Sequence, residues 1–225
     1  MRLHRAAATL AAVLLLAGCS GGTASSAAPT GARSSAAASP AASGDLSTCP
    51  TSQPAAMAKG TSKLVTLTTA KGTIAIKVEG ALSPIAAGNF VALASCGYYT
   101  GVVFQRLVPG FVIQGGDGAY GREPNVDMTR VGSGGPGYNI ADEPVTGTYT
   151  RGTVAMAKTA RPNSANSQFF IVLGPIQLAP SYQIFGHVTS GMDVVDAIAA
   201  MPNSGGDANR AVNPVAMDKV TVSNP

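Results

Sequence analysis

The sequence has few of the residues on which metal centres and polyanion-binding proteins depend. Its 225 residues include no Trp, three Cys and two His, and only 12% of them are charged. His4 lies in an N-terminal leader, so counting argues against a multi-His site or a paired-Cys zinc site. Without Arg2 and Arg5 of that leader, 13 basic side chains face 11 acidic ones. This small excess, with no dense Lys/Arg cluster, argues against binding to nucleic acid.

The first 19 residues have the pattern of a bacterial lipoprotein leader. Arg2 and Arg5 form a positive start, and residues 10–16 form an apolar run shorter than the about 20 residues that cross a bilayer. The tetrapeptide Leu-Ala-Gly-Cys that ends at Cys19 resembles the lipobox, where the chain is cut before a diacylated Cys. We expect a signal peptide at 1–18, a lipid on Cys19 and an extracytoplasmic, membrane-anchored protein. An ordinary secretory signal with a chance Cys is the alternative.

Residues 19–60 have the composition of a flexible tether. Of the 26 residues from 19 to 44, 24 are Ala, Ser, Gly, Thr or Pro, and no apolar periodicity interrupts them. About 25 residues of such a coil reach roughly 25–30 Å, which would hold a domain clear of a membrane. We expect regular structure to begin near Ser62, within a single domain at 61–225.

Two further cysteines, Cys49 and Cys96, have two interpretations. Outside the cytoplasm a pair of thiols tends to oxidise, and a disulfide would tie the end of the tether to the domain. Otherwise Cys96 is a buried free thiol and Cys49 an exposed one. Neither has a neighbouring His that would make it a nucleophile.

The globular part alternates short strands with Gly- and Pro-rich connections. Ser83 and Pro84 provide the N-cap and first residue of one helix, and an apolar stripe ending at Ile198 marks a second. We predict strands at 63–69, 73–78, 102–106, 111–114, 153–157, 168–173, 184–188 and 215–222. Many short strands with two helices favour a mostly β protein, a closed antiparallel barrel, over a parallel α/β sheet.

The motifs of nucleophilic, nucleotide-dependent and zinc-dependent catalysis are missing. The sequence has no G-x-S-x-G, no G-x-x-x-x-G-K-[ST] and no H-E-x-x-H. His187 is the one His after the leader and ends a predicted strand. A polar residue at the surface or barrel end is favoured there over a general base.

Two segments carry the remaining chemical signal. The first, FQRLVPGFVIQGGD at 104–117, places Arg106 on an otherwise apolar strand before a Pro-Gly turn. The second, NSQFFI at 166–171, places Gln168 and Phe170 two residues apart and therefore on one face of a strand. From periodicity alone, a barrel core with an outward Arg explains these patterns as well as a binding groove does.

Together with FGHV at 185–188, these segments resemble the signature of cyclophilin-type peptidyl-prolyl isomerases. The resemblance runs from about Ser62 to the C-terminus. It implies an eight-stranded barrel capped by two helices that accelerates rotation about Xaa-Pro bonds. It also implies polypeptides containing Xaa-Pro as partners, no cofactor and no metal. We expect no nucleic acid as a partner, given the charge balance, and we expect a monomer.

The resemblance also assigns roles to individual residues. It implies that Arg106 is the catalytic arginine and that Gln114 acts beside it by holding substrate backbone. The residues that would line the substrate groove are Phe111, Val112, Ala157, Gln168, Phe170, Leu178 and Tyr182.

Three positions depart from the family pattern. Gln177 stands where many members have a Trp that contacts cyclosporin, so weak inhibition by that drug is expected. Lys158 stands where an Asn usually binds substrate backbone, and one extra residue separates it from Pro162, which leaves the alignment there open. Gln105 replaces a His that often precedes the arginine, and no function is assigned to it.

Three functions are therefore compared. The first is an isomerase that assists the folding of exported proteins. The second is a chaperone or scaffold module that binds proline segments with little turnover, for which Arg106 has no obvious purpose. The third is a solute-binding lipoprotein, which the resemblance disfavours.

Overall fold

The computed structural model describes residues 46–225. A short 3-10 helix, Leu46–Thr48, precedes eight strands and two helices. The strands are β1 Ser62–Thr69, β2 Gly72–Glu79, β3 Val103–Val108, β4 Val112–Gly115, β5 Thr153–Met156, β6 Phe169–Val172, β7 Ile184–Ser190 and β8 Arg210–Ser223. The helices are α1 Pro84–Ser95 and α2 Met192–Ala199.

The eight strands close into one antiparallel barrel. Their order around it is β1-β2-β7-β5-β6-β4-β3-β8, and every neighbouring pair is antiparallel. Helix α1 lies against β7 and β8, and α2 lies against β2 and β4. Because the barrel is closed, the sheet has no exposed edge strand. The predicted fold class is confirmed.

Aromatic side chains fill the interior between α1 and the sheet. Phe90 of α1 is fully buried, and its ring centroid lies 4.7 Å from Phe185 and 5.1 Å from both Phe169 and Tyr99. Because side chains alternate along a strand, Phe170 next to Phe169 faces the opposite way. It belongs to a second apolar cluster on the outer side of β4, β5 and β6. That outer cluster is the base on which the candidate site is built.

Strand β8 begins earlier than its hydrophobic pattern predicts. We expected it from residue 215, directly after Pro214, which cannot donate a ladder hydrogen bond. In the structure Arg210 already pairs with Arg106 of β3, and Val215 pairs with Phe104. The four residues 211–214 therefore form an irregular bulge, which accommodates the proline.

The chain before β1 lies against the domain rather than away from it. A disulfide joins Cys49 to Cys96, with 5.2 Å between their Cα atoms, which is the bridged alternative of the two considered above. The N–H of Met57 donates to the first carbonyl of α1 at 2.8 Å. Residues 49–57, which belong to the expected tether, are thus held against helix α1 at both of its ends.

A glycine in α1 permits this close approach. A Cβ at Gly88 would lie only 2.3 Å from the carbonyl oxygen of Ala55. Any other residue there would force the preceding segment off the helix. This packing had little signal in a stretch whose one large apolar side chain is Met57.

The predicted signal peptide at 1–18, the lipid on Cys19 and the tether up to residue 45 lie outside the described residues. Among residues 46–225, neither helix has the length and apolar character needed to cross a membrane.

Candidate active site

A groove of about 520 Å³ lies on the outer side of β3, β4 and β6. It gathers all nine residues to which the family resemblance assigned catalytic or substrate-binding roles, although they are spread over 77 positions of the chain. These are Arg106, Phe111, Val112, Gln114, Ala157, Gln168, Phe170, Leu178 and Tyr182. The alternative of a plain barrel core with an outward Arg does not describe this arrangement.

Strand register places the central residues of the groove in one row. Arg106 of β3 pairs with Gln114 of β4, Gln114 pairs with Phe170 of β6, and Phe170 pairs with Ala155 of β5. Directly paired residues project their side chains to the same side of a sheet. A cationic group, an amide and an aromatic ring therefore follow one another across the strands.

One end of the groove is an apolar pocket. Phe111 and Leu178 form its rim with Tyr182, and Val112 and Phe170 lie beneath, only 2% and 5% exposed. The rings of Phe170 and Tyr182 meet edge to face, with centroids 5.6 Å apart. The pocket offers apolar surface to a small, compact ring and few hydrogen-bonding groups.

Tyr149 holds the rim of this pocket in place and was missed by sequence reasoning. Its hydroxyl donates to the carbonyl of Tyr182 at 2.9 Å and accepts from the N–H of the same residue at 3.1 Å. Burial raises the pKa of Tyr149 above its usual value, so the phenol stays protonated and able to donate. The contact spans 33 residues, which no local pattern reveals.

A network of three glutamines forms the polar side of the groove. Gln168 accepts at Oε1 from Nε2 of Gln105 at 3.0 Å and from Nε2 of Gln114 at 3.1 Å. Its own Nε2 donates to the carbonyls of Gly132 and Gly134, each at 3.0 Å. The network fixes the orientation of each amide, and it leaves Oε1 of Gln114 as an acceptor.

Gln105 enters this network because β3 has a bulge. Phe104 pairs with Gly115 and Arg106 with Gln114, so Gln105 is an extra residue on β3. It is 3% exposed. The sequence assigned it no function, and the one signal that could have found it is its place as a polar residue beside Arg106 on an otherwise apolar strand.

Arg106 itself is partly exposed, and its side chain is unengaged. Within residues 46–225 its guanidinium makes no hydrogen bond and no ion pair. Because Arg stays protonated and carries several donors in a fixed plane, it presents a permanent cation to whatever enters the groove.

Lys158 lines the groove, but its charge is turned to Asp142. Their Nζ and Oδ2 atoms are 2.6 Å apart, and the lysine side chain is 9% exposed. The N–H of Asn163 donates to the same carboxylate at 2.9 Å. Partial burial raises the pKa of Asp142, but the hydrogen bonds from Lys158 and Asn163 outweigh it and leave that pKa below its usual value. The ion pair of Lys158 with Asp142 thus holds the segment 158–162, which contains the one extra residue relative to the family pattern.

Two other residues considered from sequence lie elsewhere. His187 is on β7 opposite Lys77, with its Nδ1 3.7 Å from a carboxylate oxygen of Glu79, and it does not line the groove. Gln177 is exposed beside Leu178, and weak inhibition by cyclosporin stays a prediction. The described part of the chain contains no cluster of three or more His, Cys, Asp or Glu residues arranged for a metal ion.

Comparison with known proteins identifies the family. Residues 64–222 match the family model described as cyclophilin type peptidyl-prolyl cis-trans isomerase/CLD. A probable peptidyl-prolyl cis-trans isomerase of Brucella abortus is 40% identical over 161 residues, which cover 67% of this chain and 78% of that protein. A peptidyl-prolyl cis-trans isomerase of Streptomyces antibioticus is 36% identical over 169 residues, covering 70% and 97%.

Solved structures agree. The crystal structure of a cyclophilin type peptidyl-prolyl cis-trans isomerase from Cryptosporidium parvum superimposes with a TM-score of 0.62 at 29% identity, covering 73% of this chain and 99% of that one. A second structure of that protein, in the presence of the dipeptide Ala-Pro, has the same TM-score at 28% identity, covering 72% and 99%. Sequence, barrel and groove lead to one conclusion: the chain belongs to the cyclophilin type peptidyl-prolyl cis-trans isomerase family and is an enzyme that acts on proline-containing peptides.

Proposed function

We propose that the protein isomerises Xaa-Pro bonds of exported polypeptides from a lipid anchor outside the cytoplasmic membrane, with Arg106 as its catalytic residue. The observation that carries the catalytic assignment is the unengaged guanidinium of Arg106, which lies in the same groove as the apolar pocket that Phe111 and Phe170 line. The presence of Ala-Pro in a structure of the Cryptosporidium relative supports a peptide as the occupant.

The reaction makes demands that this groove can meet. Rotation about the amide has a barrier of about 18–20 kcal/mol and takes tens to hundreds of seconds uncatalysed. No covalent bond forms or breaks, so the reaction needs no nucleophile. Twisting the amide ends its resonance and leaves the proline nitrogen with a lone pair. A donor aimed at that nitrogen stabilises the twisted state over both planar states, which is the differential binding that catalysis requires.

Arg106 would supply that donor. A hydrogen bond to a charged group contributes about 1.5–3 kcal/mol. An acceleration on the order of 10⁵-fold needs about 7 kcal/mol, at about 1.36 kcal/mol for each factor of ten. Arg106 therefore accounts for part of the effect only.

The apolar pocket and Gln114 would contribute the rest. Phe111, Val112 and Phe170 would hold the proline ring while the preceding carbonyl swings, so that rotation occurs about a fixed end. Because Nε2 of Gln114 is occupied by Gln168, its Oε1 remains for a substrate N–H. The pocket also excludes water from the less polar twisted amide.

The leader and tether support the proposed location. Residues 1–18 have the signal-peptide pattern, and Cys19 follows the lipobox-like tripeptide. The Cys49–Cys96 disulfide suits a compartment in which thiols oxidise. Clients would be chains that emerge unfolded from export, where slow Xaa-Pro bonds delay folding. We propose that the protein works as a monomer, since residues 106–182 of one chain already bring the candidate catalytic arginine and the apolar pocket together.

The test compares the purified protein with Arg106→Ala on a blocked Ala-Pro-Phe peptide. We expect the parent to accelerate cis–trans exchange and Arg106→Ala to lose most of that acceleration with an unchanged melting temperature. Lys219→Ala, on the exposed side of β8, is the matched control that removes a cation far from the groove. Peptide binding without acceleration by the parent would favour the chaperone or scaffold module instead.

A further inference from the structure

A second groove, of about 300 Å³, adjoins the first. It shares Arg106 and Gln114 with the main groove and continues toward residues 129–133 and the start of β8. Arg130 and Arg210 line this second groove and do not line the first. Three guanidinium groups therefore border one small space beside the candidate catalytic residue.

Arg130 and Arg210 are held in position. The guanidinium of Arg130 lies 3.8 Å from the centroid of the Tyr120 ring and bonds its hydroxyl. Arg210 donates through Nη1 to the carbonyls of Met128 at 2.7 Å and Val131 at 3.1 Å. Each arginine is preorganised by these contacts and keeps further N–H donors for a ligand.

The charge of this groove is not balanced by its own lining. No Asp or Glu lines it, and within residues 46–225 no ion pair involves Arg106, Arg130 or Arg210. Asp127 lies on the same loop as Arg130 and offsets part of its charge. Its carboxylate is engaged by the N–H and hydroxyl of Thr129 and by the N–H of Arg130.

We propose that the second groove is a specificity subsite for an acidic substrate residue, whose carboxylate is received by Arg130 and Arg210. The planar guanidinium matches a carboxylate in geometry and charge. A substrate with its proline in the apolar pocket passes Arg106, which borders both grooves, so its neighbouring residues reach the second one. The preferred substrates are then Xaa-Pro segments with Asp or Glu near the proline. This inference rests on the proposed function.

The experiment uses blocked peptides with one Xaa-Pro bond and no other charge. Glu or Gln is placed in turn at Xaa, at the residue before it, and at the first and second residues after proline. Exchange rates are measured by NMR at low salt and divided by the uncatalysed rate of the same peptide. Dissociation constants of the same pairs are measured by calorimetry, so that a preference is detected with or without turnover.

We expect Glu at one or two adjacent positions on one side of proline to raise kcat/KM about three- to tenfold over Gln, as one or two partly exposed ion pairs provide. Added NaCl should shrink this ratio. Arg130→Gln should bring the ratio close to one, and Arg130→Lys should keep part of it. Lys219→Gln is the control and should keep the parent ratio.

Three outcomes would separate the possibilities. A Glu/Gln ratio near one at every position in rate and affinity, with Gln peptides still accelerated, overturns the subsite and spares the proposed function. The subsite is also overturned if Arg130→Gln keeps the parent melting temperature and leaves the Glu/Gln ratio unchanged. If no peptide is accelerated, the proposed function fails, and the calorimetric ratio still decides the subsite.

Discussion

Gln105 and Gln168 share a buried hydrogen bond of 3.0 Å, and the oxygen that accepts it also accepts from Gln114. Because Nε2 of Gln168 donates to two backbone carbonyls, the amide is oriented with its acceptor, Oε1, toward the other two glutamines. The other two amides must then present their Nε2 atoms to it. Gln105, which does not line the main groove, thus helps to fix the side chain of Gln168, which does.

The first prediction concerns this shared acceptor. Gln168→Leu leaves the side-chain donors of Gln105 and Gln114 unpaired, and a buried unpaired group costs about 1–3 kcal/mol. Gln105→Leu should cost less, because it also removes an Oε1 atom that is buried without a partner among the described residues. Urea unfolding followed by far-UV circular dichroism measures both free energies of unfolding. Equal losses in the two variants would show that Gln168 is not the centre of the network.

The second prediction concerns the disulfide. Cys49 and Cys96 are 47 residues apart, and closing a loop of this size is expected to stabilise the folded state by about 2–4 kcal/mol. Reduction should therefore lower the melting temperature. Since neither Cys lines a groove, kcat/KM at a temperature well below the transition should stay the same. The double variant Cys49→Ser with Cys96→Ser is the control. Its melting temperature should match that of the reduced parent and should not change when reductant is added.

The third prediction concerns acid sensitivity at Asp142. Its pKa is below the usual value in the folded protein, so its ionised form stabilises the fold. That contribution is fully present above the unfolded-state pKa of about 3.9 and is lost as the pH falls through the lower folded pKa. Asp142→Asn should be less stable than the parent near neutral pH, and the difference should shrink in acid. Denaturant midpoints at several pH values test this, and a difference independent of pH would be evidence against the ion pair with Lys158.

The fourth prediction concerns the anchor. If Cys19 is diacylated, the parent should fractionate with membranes and mass spectrometry of its N-terminal peptide should show the lipid. Cys19→Ala should release the protein from the membrane without changing its kcat/KM, because the groove lies in residues 106–182. Membrane association that survives Cys19→Ala would show that another part of the chain holds the protein there.

Local pattern was enough for the secondary structure of the barrel. The alternation around Ile76 and the Ser83-Pro84 start of α1 are properties of short segments, and β2 and α1 formed where these patterns placed them. Strand β8 is the exception, because it begins before residue 215. The groove residues were also available from sequence. Arg106 and Gln168 belong to long ordered motifs that resemble those of a known family, and that resemblance implies which residues form the site.

What the sequence alone determined, then, was the set of elements, and the family resemblance implied which residues line the groove. Tertiary structure alone decided the contacts that support it. The bulge at Gln105, the pairing of Arg210 with Arg106, the ion pair of Asp142 with Lys158 and the hold of Tyr149 on the pocket rim all join distant segments. Such contacts depend on strand register and loop path, which are set when the whole barrel closes and not by the propensity of any single segment.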